Sequence, residues 1–135
     1  MKSITVDATL ENLDKVIDFL NKELDAMNCD EKVKFKIDVA VDEIFSNIAN
    51  YAYKPVDGKA TVGFDDMGEN RQVEIVFEDT GKPYNPLKKE DPNVNLPIEE
   101  RDIGGLGILI VKKSMDEVLY EYKDKKNILT LRKKI

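Results

Sequence analysis

Apolar residues change their spacing partway along this chain. Leu10, Leu13, Ile17, Leu20, Leu24 and Met27 recur at intervals of three and four, as do Val33, Ile37, Val41, Ile44 and Ile48. Ala60, Val62 and Phe64, then Val73, Ile75 and Phe77, fall at every second position instead. The first spacing draws one stripe on a helix; the second lines one face of a strand. The pattern predicts a helix from Leu10 to Met27 capped by Thr9, ended by "NCD", and a second from about Glu31 to Tyr53. It then predicts a hairpin turning at "MGEN". A short strand, "KSITVDA", precedes the helices. A third helix, Ile108 to Met115, is followed by two strands, "EVLYEYK" and "NILTLRK". Strands that pair as hairpins, with helices grouped rather than alternating with them, predict an α+β two-layer sandwich.

One domain spanning 1–135 accommodates all of these elements. Between Thr80 and Ile103 the periodic pattern lapses, and four of the chain's five prolines fall there. A loop this long in a compact domain is commonly a functional lid or a disordered segment. A net charge of −6 argues against generic nucleic-acid binding, which needs basic surface. No apolar run reaches the length of a membrane span, and the N-terminus lacks a signal-peptide pattern. A lone cysteine, Cys29, excludes an internal disulfide framework and fits the cytoplasm. With no histidine in the chain, any proton transfer falls to a carboxylate, lysine, tyrosine or the thiol.

Three short stretches carry candidate chemistry. In "DEIFSNIANYAY", Glu43 and Asn47 stand four apart, on one helix face separate from the core stripe. A carboxylate and an amide so placed can serve as a base and a ligand for Mg²⁺, a hard cation that accepts an amide oxygen. They also suit the wet face of any amphipathic helix. In "FEDTGKPYNP", Asp79 closes a strand and Gly81 turns the chain after it. Such a carboxylate can accept a hydrogen bond from an adenine amino group, and the same residues also make a plain turn. In "DIGGLGILIVKK", Gly104, Gly105 and Gly107 precede an apolar run. Glycines before a helix let backbone N–H groups meet an anion, which the helix dipole favours by about 0.3–2 kcal/mol. Close helix packing selects glycine equally well. No Lys-Ser or Lys-Thr follows, so this is not a P-loop.

Taken in order, these motifs form a specific series: Glu-x-x-x-Asn on a helix, Asp-x-Gly after a strand, a proline-rich lid, then Gly-Gly-Leu-Gly opening a helix. The series resembles the Bergerat-type ATP-binding domain of the GHKL superfamily. Within that superfamily it is similar to the small RsbW-like anti-sigma factors and serine-protein kinases. The resemblance implies a mixed, mostly antiparallel sheet with helices on one face and an ATP lid at about 80–104. It implies ATP and Mg²⁺ as cofactors, with Asn47 on the metal and Glu43 orienting or deprotonating the attacking hydroxyl. Asp79 would bind adenine and Gly81 would lie beneath the base. Gly104, Gly105 and Gly107 would meet the phosphates, and Thr130 would support the adenine pocket.

The resemblance further implies a cytoplasmic partner-switching protein that sequesters a sigma factor or similar target. It would phosphorylate a serine on a STAS-domain antagonist, with a homodimer possible and neither nucleic acid nor membrane as a direct partner. Departures from the family pattern stand at Pro83 (a glycine elsewhere), Tyr51 (often histidine) and Lys126-Asn127 (often Gly-Thr). Arg101 is the lid's one arginine. Lys88, Lys89, Lys112 and Lys113 suit either phosphate or solvent. A nucleotide-dependent binding module without kinase turnover is the alternative reading, and the detached catalytic half of a histidine kinase a third.

Overall fold

Five alternating segments pair into one sheet: β1 (Lys2–Asp7), β2 (Lys59–Asp66), β3 (Gln72–Asp79), β4 (Glu117–Lys123) and β5 (Lys126–Lys134). Their order is β1-β2-β3-β5-β4, and all four pairings are antiparallel. Among the described residues three α-helices complete the layer: α1 (Leu13–Ala26), α2 (Glu31–Asn47) and α3 (Ile103–Ser114). This computed structural model describes residues 1–53, 57–68, 71–88 and 103–135.

The two hydrophobic periods meet in a single core. Val16, Leu20 and Leu24 of α1 and Ile37, Ala40, Val41, Ile44 and Phe45 of α2 are buried. They cluster with Ile108 and Val111 of α3 and with the alternate positions Val62, Phe64, Val73, Ile75, Phe77, Leu129 and Leu131 of the sheet. The opposite faces of these strands carry Thr61, Glu74, Glu78 and Arg132, none of them buried.

The helix ends differ from the sequence expectation, each for a local reason. Leu10–Asn12 forms a 3-10 turn, so α1 proper begins at Leu13 and Leu10 is left 53% exposed. Thr9 makes no side-chain cap; its hydroxyl instead accepts a bond from Asn12 Nδ2, which also donates to the Asp7 carbonyl at 2.9 Å. The stop at "NCD" is a Schellman motif, with Asn28 at φ 56° and the Cys29 and Asn28 N–H groups bonded to Leu24 and Asp25 carbonyls. Past Asn47 the second helix widens into a π-turn, Ile48–Ala52. α3 starts at Ile103 rather than Ile108, so the three glycines lie inside the helix and not ahead of it. Of the expected lid at 80–104, residues 89–102, with Lys89 and Arg101, lie outside the described residues. Its described start holds a 3-10 turn, Pro86–Lys88.

One polar pair between α1 and α2 is imperfectly matched. Asn21 Nδ2 donates to Asp38 Oδ2 at 3.4 Å, while Asn21 Oδ1 and Asp38 Oδ1 are buried with no donor among the described residues. Burial pushes the Asp38 carboxyl above its ordinary value, against the pull of the Asn21 bond and Lys34. A carboxyl whose folded pKa is raised holds its proton more readily folded than unfolded, so its penalty is relieved as pH falls through the folded pKa. Asp38→Asn keeps the shape, removes the charge and offers a donor to Asn21 Oδ1. It is expected to stabilise the fold at pH 7 in urea denaturation, by less than about 1 kcal/mol because solvent screens a partly exposed carboxyl, with the advantage shrinking in acid. A variant no more stable than the parent at pH 7 rejects this account.

Candidate functional site

A cavity of about 360 Å³ opens where the end of α2, the π-turn and the chain after β3 meet the ends of β4 and β5. Ile44, Ile48, Phe77 and Leu129 contribute apolar wall, and Tyr51 and Tyr84 add exposed aromatic surface. The polar group at its end follows from strand alternation. Val73, Ile75 and Phe77 point inward from β3, and the next inward position is Asp79, only 7% exposed. A buried carboxylate must be hydrogen-bonded to be tolerated. Asp79 Oδ1 accepts from the Gly81 N–H and from Asn127 Nδ2, each at 2.9 Å. Among the described residues no donor reaches Oδ2, so the cavity-lining Asp79 keeps one acceptor open.

The chain after β3 is tied to the π-turn. The Lys82 N–H donates to the Ala52 carbonyl at 3.0 Å. A Cβ on Gly81 would stand 2.3 Å from that same carbonyl oxygen, so only glycine fits. Tyr53 pins the neighbourhood: its hydroxyl donates to the Lys59 carbonyl at 2.6 Å and accepts from the Thr80 N–H at 2.7 Å. π-turns recur at functional sites, and this one carries Tyr51 and Ala52 to the cavity.

Glu43 and Asn47 are brought together as their spacing predicts. Asn47 lines the cavity, and its Nδ2 donates to Glu43 Oε1 at 3.2 Å. Among the described residues, that bond leaves the Asn47 oxygen without a donor. Glu43 is half-buried and lies against α3, where a Cβ on Gly107 would stand 1.9 Å from Glu43 Oε1. Gly107 is thus a packing glycine that makes room for the carboxylate. Gly104 and Gly105 fall in the first turn of α3, where N–H groups have no partner within a helix. Among the described residues no three acidic, histidine or cysteine side chains gather for a metal. A hard cation here would take the Asn47 oxygen and draw its remaining ligands from water and an anionic ligand, which is how Mg²⁺ binds with phosphates.

Thr130 is not brought to the site. On β5 the inward positions are Asn127, Leu129 and Leu131, so Thr130 falls on the outer face with Ile128 and Arg132. The polar residue of this strand that reaches the cavity is Asn127, 7% exposed, which lay unassigned in the sequence. Its signal was parity: an amide on the inward face of an otherwise apolar strand. Tyr120, inward on β4 opposite Leu129, joins it there.

An antiparallel five-stranded sheet packed under a layer of helices is the two-layer fold of the ATPase-type domain of the histidine kinases. The histidine kinase-like ATPase domain matches residues 6–133, and the chain belongs to that family. It is 25% identical over 100 residues to the serine/threonine-protein kinase BtrW of Bordetella bronchiseptica, covering 74% of this chain and 70% of BtrW. It is 34% identical over 84 residues to the serine-protein kinase RsbW of Bacillus mycoides, covering 59% of this chain and 51% of that kinase. The match therefore spans about half the length of RsbW. Among solved structures, the histidine kinase domain of the blue-light activated histidine kinase from Erythrobacter litoralis superposes with a TM-score of 0.56 at 16% identity. That superposition covers 76% of this chain and 44% of that one, and the likeness is of fold.

The glycine contacts give a direct test. Gly81→Ala sets a methyl against backbone and is expected to cost about 1–3 kcal/mol. At Gly63 the added Cβ crowds only the flexible Met1 side chain, the Lys2 carbonyl oxygen standing at an ordinary 3.7 Å, so Gly63→Ala should change stability by less than about 0.5 kcal/mol. Thermal unfolding that ranks the two alike contradicts the tight packing at Gly81.

Proposed function

We propose that this chain binds Mg-ATP in the cavity and acts as an anti-sigma serine-protein kinase. The observation that carries the reading is Asp79: a buried carboxylate at the end of an apolar slot, with one oxygen tied down and the other open. An adenine amino group is the donor such an acceptor suits, and the apolar walls suit the faces of the base. Gly81 lies at the base end, and Gly104, Gly105 and Gly107 at the phosphate end. Asn47 would hold Mg²⁺, whose contribution when bound is to neutralise charge on the phosphates. The expected lid, about 80–104, is proposed to close over the triphosphate, although its residues 89–102 lie outside the described residues.

Phosphoryl transfer asks mainly for positioning and charge neutralisation. The serine Oγ bonds to the γ-phosphorus, the bond from that phosphorus to the β–γ bridging oxygen breaks, and ADP leaves with the electron pair. The serine proton passes to Glu43, on Oε2, since Oε1 accepts from Asn47. The names of the BtrW and RsbW kinases support transfer to serine. The antagonist is proposed to be a STAS-domain protein, and the sequestered target a sigma factor or similar protein. The setting is proposed to be the cytoplasm, with a homodimer as the working unit. No described helix is long and apolar enough to cross a membrane.

A second reading is a nucleotide-dependent binding module without turnover. It is favoured by Pro83, which lines the cavity at a position where the resembled family pattern often has glycine. Calorimetric titration with ATP and ADP, with and without Mg²⁺, tests what the two readings share. Wild type is expected to bind, Asp79→Asn to lose at least tenfold in affinity, and Asn47→Ala to lose the dependence on Mg²⁺. Failure of wild type to bind either nucleotide sinks both readings. Radiolabel transfer to a cognate antagonist, abolished in Glu43→Ala, then separates kinase from module.

A further inference from the structure

Asn127 is buried, lines the cavity and sits directly opposite Asp79 in the β3–β5 register. Its amide has two N–H donors and two acceptor sites, and all four are used. Nδ2 donates to Asp79 Oδ1 at 2.9 Å and to the Lys82 carbonyl at 2.8 Å. Oδ1 accepts from the Tyr84 N–H at 3.0 Å and from the Tyr120 hydroxyl. Burial raises the Tyr120 pKa, which keeps that hydroxyl protonated and donating. Turning the amide over would set its N–H groups against the Tyr84 N–H and its oxygen against the Asp79 carboxylate. Its orientation is therefore fixed.

We infer that Asn127 is a positioning residue for the nucleotide base: it locks the Asp79 carboxylate so that Oδ2 alone faces the cavity, and it anchors the Lys82–Tyr84 backbone that forms the cavity's lip. The inference rests on the ATP reading of the site. Asn127 has no valence left for the base itself, so it acts through Asp79. With Oδ1 held by Asn127 and by the Gly81 N–H, the carboxylate cannot swing, and the base meets an acceptor at a fixed point. Adenine presents an amine there. Guanine presents a carbonyl at the equivalent position, and oxygen would face oxygen. Discrimination between the two purines is thus set partly by a side chain that touches neither.

The test is calorimetric titration of the whole chain with ATP and with GTP, alongside thermal melts, for wild type, Asn127→Ala and Tyr120→Phe. Asn127→Ala is expected to lose roughly 10- to 100-fold in ATP affinity and far less for GTP, so that the ATP-to-GTP ratio shrinks. Tyr120→Phe removes one of the four bonds and little else. It should move the ratio the same way, by roughly 2- to 10-fold. If Asn127→Ala does not fold, Tyr120→Phe carries the decision. A lowered melting temperature with an unchanged ratio makes Asn127 a purely structural residue and overturns the inference. So do variants that match wild type, or a wild type that does not prefer ATP. A wild type that binds neither nucleotide fails earlier, and takes the ATP reading with it.

Discussion

A charged carboxylate at the buried end of β3 sets the terms for everything around it. Asp79 continues an inward row of Val73, Ile75 and Phe77, so the fold delivers an acidic group to a place largely shielded from water. Its two donors come from different parts of the chain. One is the Gly81 N–H in the turn that follows; the other is Asn127, across the sheet on β5. Each donor constrains its surroundings. A one-residue slip of β5 against β3 would turn Asn127 outward and leave the carboxylate half-satisfied. Gly81 can hold its position only because it lacks a side chain against Ala52, which ties the turn to the π-turn ending the second helix. Sheet register, turn shape and helix end are thus coupled through one oxygen atom, while the other stays open to the cavity.

What could be read from the sequence was local. Glu43 and Asn47 are one helical turn apart, and Asp79 and Gly81 two residues apart, so spacing alone places each pair. The strands, the two long helices and the layer arrangement follow from hydrophobic period for the same reason. Asn127 escaped because its partner is 48 residues away and meets it only once β3 and β5 have paired. Thr130 failed on parity. It lies on the expected strand, but Leu129 and Leu131 on either side of it take the inward positions, and a residue between two inward neighbours faces out. The π-turn has no pattern of its own, being a widening imposed where the helix meets the turn after β3.

The glycines of α3 show packing overruling propensity. Three glycines in five residues cost a helix about 1 kcal/mol each relative to alanine, which is why they read as a loop. The helix forms nonetheless, and Gly107 shows one reason: α3 lies so close to α2 that any side chain there would occupy the space of the Glu43 carboxylate. Glycine therefore has two uses in this segment. At position 107 it admits a neighbour. At 104 and 105, in the first turn, its N–H groups have no partner within the helix.

The amide at position 47 resolves a conflict of charge. The chain carries a net −6, and the proposed ligand is a polyanion that would lie near Glu43. Placing a second carboxylate at position 47 would bring like charge against Glu43 within a helical turn and raise the cost of ionising either. Asparagine avoids this because its two ends differ in sign. Its nitrogen already donates to Glu43 Oε1, steadying the carboxylate, while its oxygen remains for a cation. One side chain therefore orients the proposed base on one side and, in the proposed complex, can accept a metal on the other. The exchange of Asn47 for aspartate, though smaller in volume change than most, would sacrifice the first role to strengthen the second.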